Sequence, residues 1–405
     1  MSTAPIIIIG AGMAGLACAL QLQERKVPFL IMERSDGPGG RVRTDLVDGF
    51  RLDRGFQIVL SAYPELQAHF DLRMLDLRPF RSGALIRRSG GFWTWPDPFR
   101  EPWRLLETLA SPVGSLRDKL LTAQLAIRSL RADRLTFIMR EAETSLRFLQ
   151  SSGFSEGYIE RFLRPFFGGV FLEDRLETSS NLLLFLFRNF LLGRACLPAL
   201  GMQTLPSRLA SRLESERLRF GATVRAIEGS SVRLDGGEVV EGSKVVIATE
   251  ASACAGLLGE AVPPSNATHC SYWAAPSSPL STPMLVLNPD RSGPIHNLCV
   301  PSDVAPDYAP AGQSLVSVST QRSQAPTPEE TRAALRDWFG AQVDAWRHLR
   351  TDSIPEALPR FGAAARPRDS RIADHLYVCG DHTTYPSLNG ALGSGRALGL
   401  RLAYY

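Results

Sequence analysis

The chain has 405 residues, of which 44% are hydrophobic and 21% charged, and its formal net charge at pH 7 is +4. This is the composition of an ordinary globular protein, and the length indicates two or more folded units. Lysine occurs only at Lys26, Lys119 and Lys244, and no arginine-rich block alternates with aromatic residues, which argues against a nucleic-acid partner.

Cysteine usage and hydropathy indicate a compartment. The six cysteines form no CxxC pair, and no histidine cluster completes a zinc site, so we expect no metal. We expect Cys18 and Cys379, which lie within apolar runs, to be buried thiols, as suits a reducing compartment. We expect no signal peptide, because the N-terminus leads directly into the first predicted strand, and no uncharged apolar run reaches the roughly 18 residues that would span a bilayer. A cytoplasmic location is therefore predicted.

The N-terminal segment predicts a strand, a glycine turn, a helix and a second strand. Four isoleucines, Ile6 to Ile9, precede the run Gly10-Ala11-Gly12-Met13-Ala14-Gly15 and an apolar helical stretch. A second apolar run, Phe29 to Met32, ends on Glu33. A carboxylate at this distance from the turn is placed to accept hydrogen bonds from a ribose. A lone glycine triplet is weak evidence, but here its surroundings agree with a dinucleotide site.

Each glycine of the turn has a separate expected role. Gly10 permits the tight turn, Gly12 lets a pyrophosphate approach the backbone, and Gly15 lets the helix pack closely on the strand. The helix N-terminus, at Met13 and Ala14, presents free N–H groups and the positive end of the helix dipole to the phosphates.

A second glycine motif follows at once. Arg34 begins a loop that contains Gly39-Gly40-Arg41, where paired glycines again suit close approach to phosphate and Arg41 supplies a counter-charge. A solvated loop is the other reading, because glycine and proline are common in turns. Two short strands around Gly49 then lead to Gly55-Phe56-Gln57.

The glycine triplet, Glu33, Gly39-Gly40-Arg41 with Thr44, and Asp53-x-Gly55 together resemble the FAD-binding start of flavin amine oxidases, phytoene desaturases and protoporphyrinogen oxidases. The resemblance implies an α/β fold, with a Rossmann-like FAD-binding domain of the GR2 type and an inserted α+β substrate domain. It implies FAD as cofactor, with the second glycine motif along the dinucleotide. It also implies that Gly55, Phe56 and Gln57 lie near the isoalloxazine ring.

The region from 81 to about 200 is predicted to be largely helical. Residues 115–150 have amphipathic, arginine-studded spacing, which favours a helix packed on a core over one lying on a membrane surface. The string from Arg164 to Leu172 resembles a phrase of the desaturase-like branch. The apolar run 181–192 predicts a buried helix, with the wall of an apolar substrate tunnel or a membrane-dipping patch as alternatives.

From Pro198 the chain returns to the cofactor domain. We predict a helix at Ser207–Leu213, a hairpin at Asp235-Gly236-Gly237, and a strand from Val245 to Thr249 that rejoins the main sheet. By the resemblance, the backbone around Val224 contacts adenine. Residues 261–365 read as less regular, with strands at 284–288 and 314–320 and a helix at 327–338. The histidines there, His269, His296 and His348, are expected to be satisfied polar groups.

The C-terminus contains the third motif. A strand ends in Gly380-Asp381, and a helix follows the segment Ser387-Leu388-Asn389. Asp381 is placed to bind ribityl hydroxyls or the pyrophosphate shell. Backbone N–H groups near Leu388 and Asn389 would face flavin O2, where negative charge grows on reduction.

Departures from the amine oxidases shape the predicted function. None of the three lysines is placed like the lysine near flavin N5 in those enzymes, and Ser387 stands where they have a tyrosine, with Tyr385 as a weak substitute. We therefore expect a desaturase-like FAD enzyme that takes a hydride from an apolar, isoprenoid or polycyclic substrate, with the flavin and no identified protein group as catalyst. An amine oxidase is the alternative within the family, and a redox-silent isomerase or lipid- or prenyl-binding protein is the alternative of another class.

The motifs also predict the domain boundaries. Residues 1–80, 198–260 and 366–405 are expected to form a discontinuous FAD-binding domain. Residues 81–197 and 261–365 are expected to form the substrate-binding domain, for which peripheral contact with a membrane is an alternative to a fully solvated surface.

Overall fold

A computed structural model describes residues 4–131, 142–291 and 293–404. The α-helices are α1 Met13–Glu24, α2 Pro64–His69, α3 Leu105–Ala110, α4 Leu116–Arg131, α5 Ser145–Ser151, α6 Glu156–Tyr158, α7 Arg164–Phe171, α8 Ser180–Leu192, α9 Thr204–Ala210, α10 Ala251–Leu258, α11 Pro301–Val304, α12 Pro328–Phe339 and α13 Leu388–Ala403. The strands are β1 Ile6–Ile9, β2 Phe29–Met32, β3 Thr44–Val47, β4 Phe50–Asp53, β5 Val59–Leu60, β6 Leu77–Pro79, β7 Gly83–Arg88, β8 Gly91–Pro96, β9 Ala195–Pro198, β10 Leu218–Arg219, β11 Val224–Glu228, β12 Ser231–Leu234, β13 Val239–Val240, β14 Lys244–Ile247, β15 Ser265–Ala275, β16 Leu285–Leu287, β17 Asn297–Cys299, β18 Ser314–Thr320, β19 Arg347–Pro359, β20 Arg371–Ala373 and β21 Leu376–Val378.

A six-stranded sheet in the order β10-β2-β1-β14-β21-β20 forms the first layer. All its pairings are parallel except that of β20 with β21. The four isoleucines of β1 lie at its centre and are at most 5% exposed, as expected of a parallel strand covered on both faces. The strands predicted at Ile6–Ile9, Phe29–Met32 and around Val245 are confirmed.

Helices α1 and α13 pack against each other so closely that only small residues fit between them. A Cβ on Gly395 would lie 2.0 Å from the carbonyl oxygen of Ala14, and a Cβ on Gly399 would lie 2.6 Å from that of Cys18. The C-terminal helix is thereby held against the helix that begins at the first glycine motif. The first and third sequence motifs are brought together by this contact.

A seven-stranded mixed sheet in the order β19-β15-β18-β17-β16-β7-β8 forms the second layer. Strands β16 and β18 and helix α12 lie where the sequence predicts them, and Thr327 and Glu330 close a capping box at the start of α12. The prediction of a less regular region is wrong for β15 and β19, the two longest strands. Most of β15 is buried, so it lacks the polar alternation of a half-exposed strand. The hairpin β7–β8 was not predicted either.

Helices occupy both described parts of the helical region predicted over 115–150. Helix α4 is described over Leu116–Arg131, and α5 begins after Thr144, whose hydroxyl accepts a hydrogen bond from Arg147 N at 3.3 Å. The part of that prediction at 132–141, with Asp133 and Glu141, lies outside the described residues. The string from Arg164 is helix α7, and the run 181–192 is helix α8.

Three simpler expectations concern cysteines, metals and membranes. All six cysteines are unpaired and buried, which confirms the prediction for Cys18 and Cys379. In the described part of the chain, no three His, Cys, Asp or Glu side chains are grouped as metal ligands. None of the described helices is long and apolar enough to cross a bilayer.

Candidate functional site

One continuous cavity of about 1000 Å³ runs from the carboxyl ends of β1, β2 and β14 to helices α3, α4, α7 and α8. The carboxyl ends of parallel strands are where such sheets bind dinucleotides. The predicted site residues in its wall are Gly10, Gly12, Met13, Ala14, Glu33, Arg34, Gly39, Gly40, Arg41, Gly55, Phe56, Gln57, Val224, Gly380, Asp381, Ser387 and Leu388. The other two, Gly15 and Asn389, lie behind the wall.

The three glycines of the first motif have different surroundings. Gly10 has φ +107°, which favours glycine. Gly12 has φ −72°, and a Cβ there would meet no protein atom within 4 Å. A Cβ on Gly15 would lie 2.0 Å from the carbonyl oxygen of Gly10, so this glycine allows the helix to approach the turn. The open space at Gly12, at the N-terminus of α1, fits a pyrophosphate.

The second glycine motif lies beside the first. The amide of Gly39 donates to the carbonyl oxygen of Ala11 at 2.9 Å, and Gly12 and Gly39 form a parallel bridge. Gly40 has φ +58°, and its nearest neighbour for an added Cβ would be Gly12 Cα at 3.5 Å. The glycines of both turns therefore expose backbone to the same part of the cavity.

Glu33 is held at the end of β2 by three hydrogen bonds. Its Oε2 accepts from Ala11 N at 2.7 Å, and its Oε1 accepts from the amide and the hydroxyl of Ser35 at 2.9 and 2.8 Å. The carboxylate is fixed beside the glycine turn in the cavity wall. The next residue, Arg34, pairs with Glu250 at 2.7 Å on the side where β11 and Val224 line the cavity.

Arg41 connects the second motif to the third. Its guanidinium donates to Asp381 Oδ1 at 2.6 Å and to the carbonyl oxygen of Ala357 at 3.0 Å. The nearby Asp381 carboxylate raises the pKa of Arg41 above its usual value. Arg41, predicted from its position to face a phosphate, thus also has the Asp381 carboxylate as a partner for its charge.

The start of α13 presents backbone to the cavity. The hydroxyl of Ser387 caps the helix by accepting from Gly390 N at 2.8 Å. The Asn389 side chain points into the core, where it donates to Tyr385 Oη at 2.6 Å and accepts from Glu65 N at 2.9 Å. Tyr385 packs on Phe185 with ring centroids 5.3 Å apart and does not line the cavity. It therefore supplies no substitute for the missing aromatic residue.

Asp53 is buried and is hydrogen-bonded to several segments of the chain, a role that its place in the sequence does not indicate. Its carboxylate accepts from Thr44 Oγ1 at 2.5 Å, Met202 N at 3.0 Å and Tyr308 Oη at 2.8 Å. The hydroxyl of Tyr272, on β15, donates to the Asp53 carbonyl oxygen at 2.6 Å. Burial raises the pKa of Asp53 to about 6. These bonds fix the chain just before Gly55, Phe56 and Gln57 reach the cavity.

The far half of the cavity is apolar and rich in phenylalanine. Its lining from α7, α8 and the preceding turn includes Phe162, Phe166, Phe167, Val170, Phe171, Leu186, Phe187, Phe190 and Leu191. Helix α8 belongs partly to the core, as predicted, and partly to the cavity wall. Phe187 and Phe190 line the cavity, whereas Phe185 is core, packed between Tyr63 and Tyr385.

Two polar side chains in this half, Lys119 and Thr268, are bonded to backbone carbonyls. Lys119 lines the cavity, but its ammonium donates to the carbonyl oxygens of Leu109 and Ser111 at 2.7 and 2.9 Å, so it ties α4 to the end of α3. Thr268 donates to the Thr320 carbonyl oxygen at 3.2 Å.

The three histidines expected to be satisfied, His269, His296 and His348, have polar partners. His296 contacts Asp174 at 3.0 Å and the Asn297 amide at 3.1 Å. His269 contacts the hydroxyl of Ser353 at 3.0 Å, and His348 contacts that of Thr351 at 2.9 Å.

Comparison with known proteins agrees with this geometry. The family described as "Flavin containing amine oxidoreductase" matches residues 13–397. A lycopene-forming phytoene desaturase of Pseudescherichia vulneris is 29% identical over 188 residues, which are 44% of this chain and 31% of that protein. An oxidoreductase from Methanosarcina mazei superimposes with a TM-score of 0.75 at 17% identity, over 97% of this chain and 99% of its own. Reduced UDP-galactopyranose mutase superimposes with a TM-score of 0.69 at 16% identity, over 99% and 95%.

The chain belongs to the flavin-containing amine oxidoreductase family, since the family match spans nearly its whole length. It is an FAD-dependent oxidoreductase with the predicted α/β fold, and FAD is its cofactor.

Proposed function

We propose that this enzyme is desaturase- or dehydrogenase-like and transfers a hydride from a C–H bond of an apolar, isoprenoid or polycyclic substrate to flavin N5. The observation that carries the proposal is the far half of the cavity. Phenylalanines of α7 and α8 supply its wall, and its lysine is engaged by backbone carbonyls. The match to a phytoene desaturase supports the same substrate class.

We propose that FAD lies along the two glycine turns, with its ribose at Glu33, its adenine at Val224 and its ring near Gly55, Phe56 and Gln57. Bound there, FAD supplies the hydride acceptor. The protein contributes a fixed backbone cradle and the α1 and α13 N-termini, whose dipoles favour negative charge. The Asp53 hydrogen bonds position the segment that meets the ring.

We further propose the domain division expected from the motifs: 1–80, 198–260 and 366–405 for FAD, and 81–197 and 261–365 for substrate. The two sheets support it. Strands of the six-stranded sheet come from residues 6–32, 218–247 and 371–378, and those of the seven-stranded sheet come from 83–96 and 265–359.

Anaerobic bleaching of the bound flavin tests the substrate class. The oxidised enzyme is mixed with carotenoid precursors, porphyrinogens and simple amines, and flavin absorbance is followed. Bleaching by an apolar compound is expected. Bleaching by amines alone would establish an amine oxidase, the second candidate. Bleaching by no compound would favour a redox-silent isomerase or a binding protein. This class is an alternative because UDP-galactopyranose mutase shares the fold.

A further inference from the structure

The surface of α3 and α4 carries an exposed apolar patch where the cavity reaches solvent. We define the α3–α4 patch by Phe99, Trp103, Leu105, Leu106, Leu116 and Leu120. Trp103 and Leu106 are 75% and 78% exposed, and Leu116 and Leu120 are each 61% exposed. Four of the six, Phe99, Leu105, Leu116 and Leu120, also line the cavity. The patch therefore surrounds an opening of the apolar half.

Helix α4 is oriented with apolar residues toward solvent. Its buried positions, which include Leu125 and Ala126, lie on the side opposite the patch, and the helix packs on α8. Leu116, Leu120 and Ile127 recur at helical spacing and form an exposed stripe. A surface helix ordinarily presents polar residues to water, and a contiguous apolar patch on a soluble protein marks an interaction site.

The charge beside this stripe is positive. Arg117, Arg128 and Arg131 on α4 are exposed, and none of them forms an ion pair with another described residue. Two described acids nearby are already engaged. Glu101 and Glu107 both bind Arg104, at 3.0 and 2.6 Å.

Asp118, the acid within α4 itself, is buried. Its carboxylate accepts hydrogen bonds from the amides and hydroxyls of Ser115 and Ser155. The outer face thus combines leucine and tryptophan with arginines that form no ion pair with a described residue, the composition of a helix that binds an anionic bilayer surface.

We propose that the α3–α4 patch docks on an anionic lipid bilayer, with Trp103 and the leucines in the interfacial layer and the cavity opening toward the lipid. Tryptophan is favoured at that depth. A second copy of the chain fits less well, because a two-fold contact would set the same arginines against each other and close the opening. Docking does not depend on the reaction, but it gives the apolar substrate of the proposed function a route that avoids water.

Vesicle flotation of the FAD-loaded full chain tests the docking. The vesicles are phosphatidylcholine alone, or with about one part in five phosphatidylglycerol. We expect binding to the anionic vesicles and a loss of about tenfold in L106S/L120S. The matched control is L46S, since Leu46 is 68% exposed on β3 and is not part of the patch, and it should bind like the wild type. R117E/R131E should weaken binding to the anionic vesicles. Flavin content per chain should be equal in all variants.

The proposal is overturned if the wild type binds neither vesicle, or if L46S and L106S/L120S lose binding equally. It is also overturned if sedimentation shows a dimer in solution that L106S/L120S dissociates, since a second copy would then cover the patch. A protein that floats with anionic vesicles but is bleached only by amines would keep the docking surface and refute the substrate class instead.

Discussion

Replacing Gly12 by valine separates cofactor binding from folding, because the added side chain would enter space that no protein atom occupies within 4 Å. The backbone there has φ −72°, which valine adopts without strain. Gly12 is also the N-cap of α1, so exchanging glycine for valine should lower the free energy of unfolding of the apoprotein by about 1 kcal/mol. Gly15→Val should be far worse, since its Cβ would lie 2.0 Å from a carbonyl oxygen.

The effect on FAD should be large. The valine side chain would displace the pyrophosphate from the turn and remove at least two charge-assisted hydrogen bonds, worth about 1.5 to 3 kcal/mol each. A loss of roughly 3 to 6 kcal/mol corresponds to an affinity lower by about 100-fold or more. The assay is titration of apoprotein with FAD, followed by quenching of flavin fluorescence, beside urea unfolding of the apo forms.

Gly157→Val is the matched control. Gly157 also has open space and an ordinary φ, but it lies in α6, outside the cavity wall. It should bind FAD as the wild type does. Pyrophosphate binding at Gly12 is refuted if Gly12→Val binds FAD within tenfold of the wild type. It is also refuted if the Gly12→Val apoprotein unfolds as readily as Gly15→Val, because Gly12 would then be a packing residue.

Three further predictions concern other parts of the site. Phe187→Ser should weaken the binding of apolar substrates, as measured in the bleaching assay, with flavin content unchanged. Phe185→Ser should instead lower the melting temperature, because of these two residues only Phe187 lines the cavity. The pKa of Asp53 is raised to about 6 in the folded state, above its usual value. The free energy of unfolding should therefore fall by about 3 kcal/mol as pH rises from about 4 to 6. Asp53→Asn should remove that fall, as measured by urea unfolding across this pH interval. Arg41→Met should lower the free energy of unfolding by about 2 kcal/mol, because it leaves the Asp381 carboxylate unpaired. Adding Asp381→Asn to this variant should restore most of the lost stability, and denaturant titration measures both effects.

The cofactor half of the fold could be predicted from the sequence because its requirements are local. The turn at Gly10, the buried isoleucine strand and the acid at Glu33 lie within one short segment, and each residue type answers a constraint of the backbone or of a phosphate. Glycine spacing even distinguishes Gly12, which faces the cavity, from Gly15, which faces the helix packing.

The substrate half could not be predicted because its contacts are distant in sequence. Asp53 is bonded by Tyr272 and Tyr308, which follow it by 219 and 255 residues, and nothing local marks either tyrosine as its partner. The hairpin β7–β8 completes a sheet whose other strands begin at Ser265. Amphipathic spacing in α4 was visible, but spacing alone does not tell which face a helix buries.

Hydrogen bonds made by polar side chains of the cavity wall affect which substrates it can bind. Lys119 and Thr268 donate to backbone carbonyls, and Gln57 Nε2 donates to the carbonyl oxygens of Arg41 and Arg54 at 2.9 and 3.0 Å. These groups would have to break existing bonds to hold a polar substrate, whereas the phenylalanines of α7 and α8 are available at no such cost. For the apolar substrate of the proposed function, burial of apolar surface, at about 25 cal/mol per Å², should supply most of the binding free energy. Selection should accordingly follow the length and width of an apolar body, so affinity within a homologous series should rise by about 0.8 kcal/mol for each added methylene until the cavity is filled.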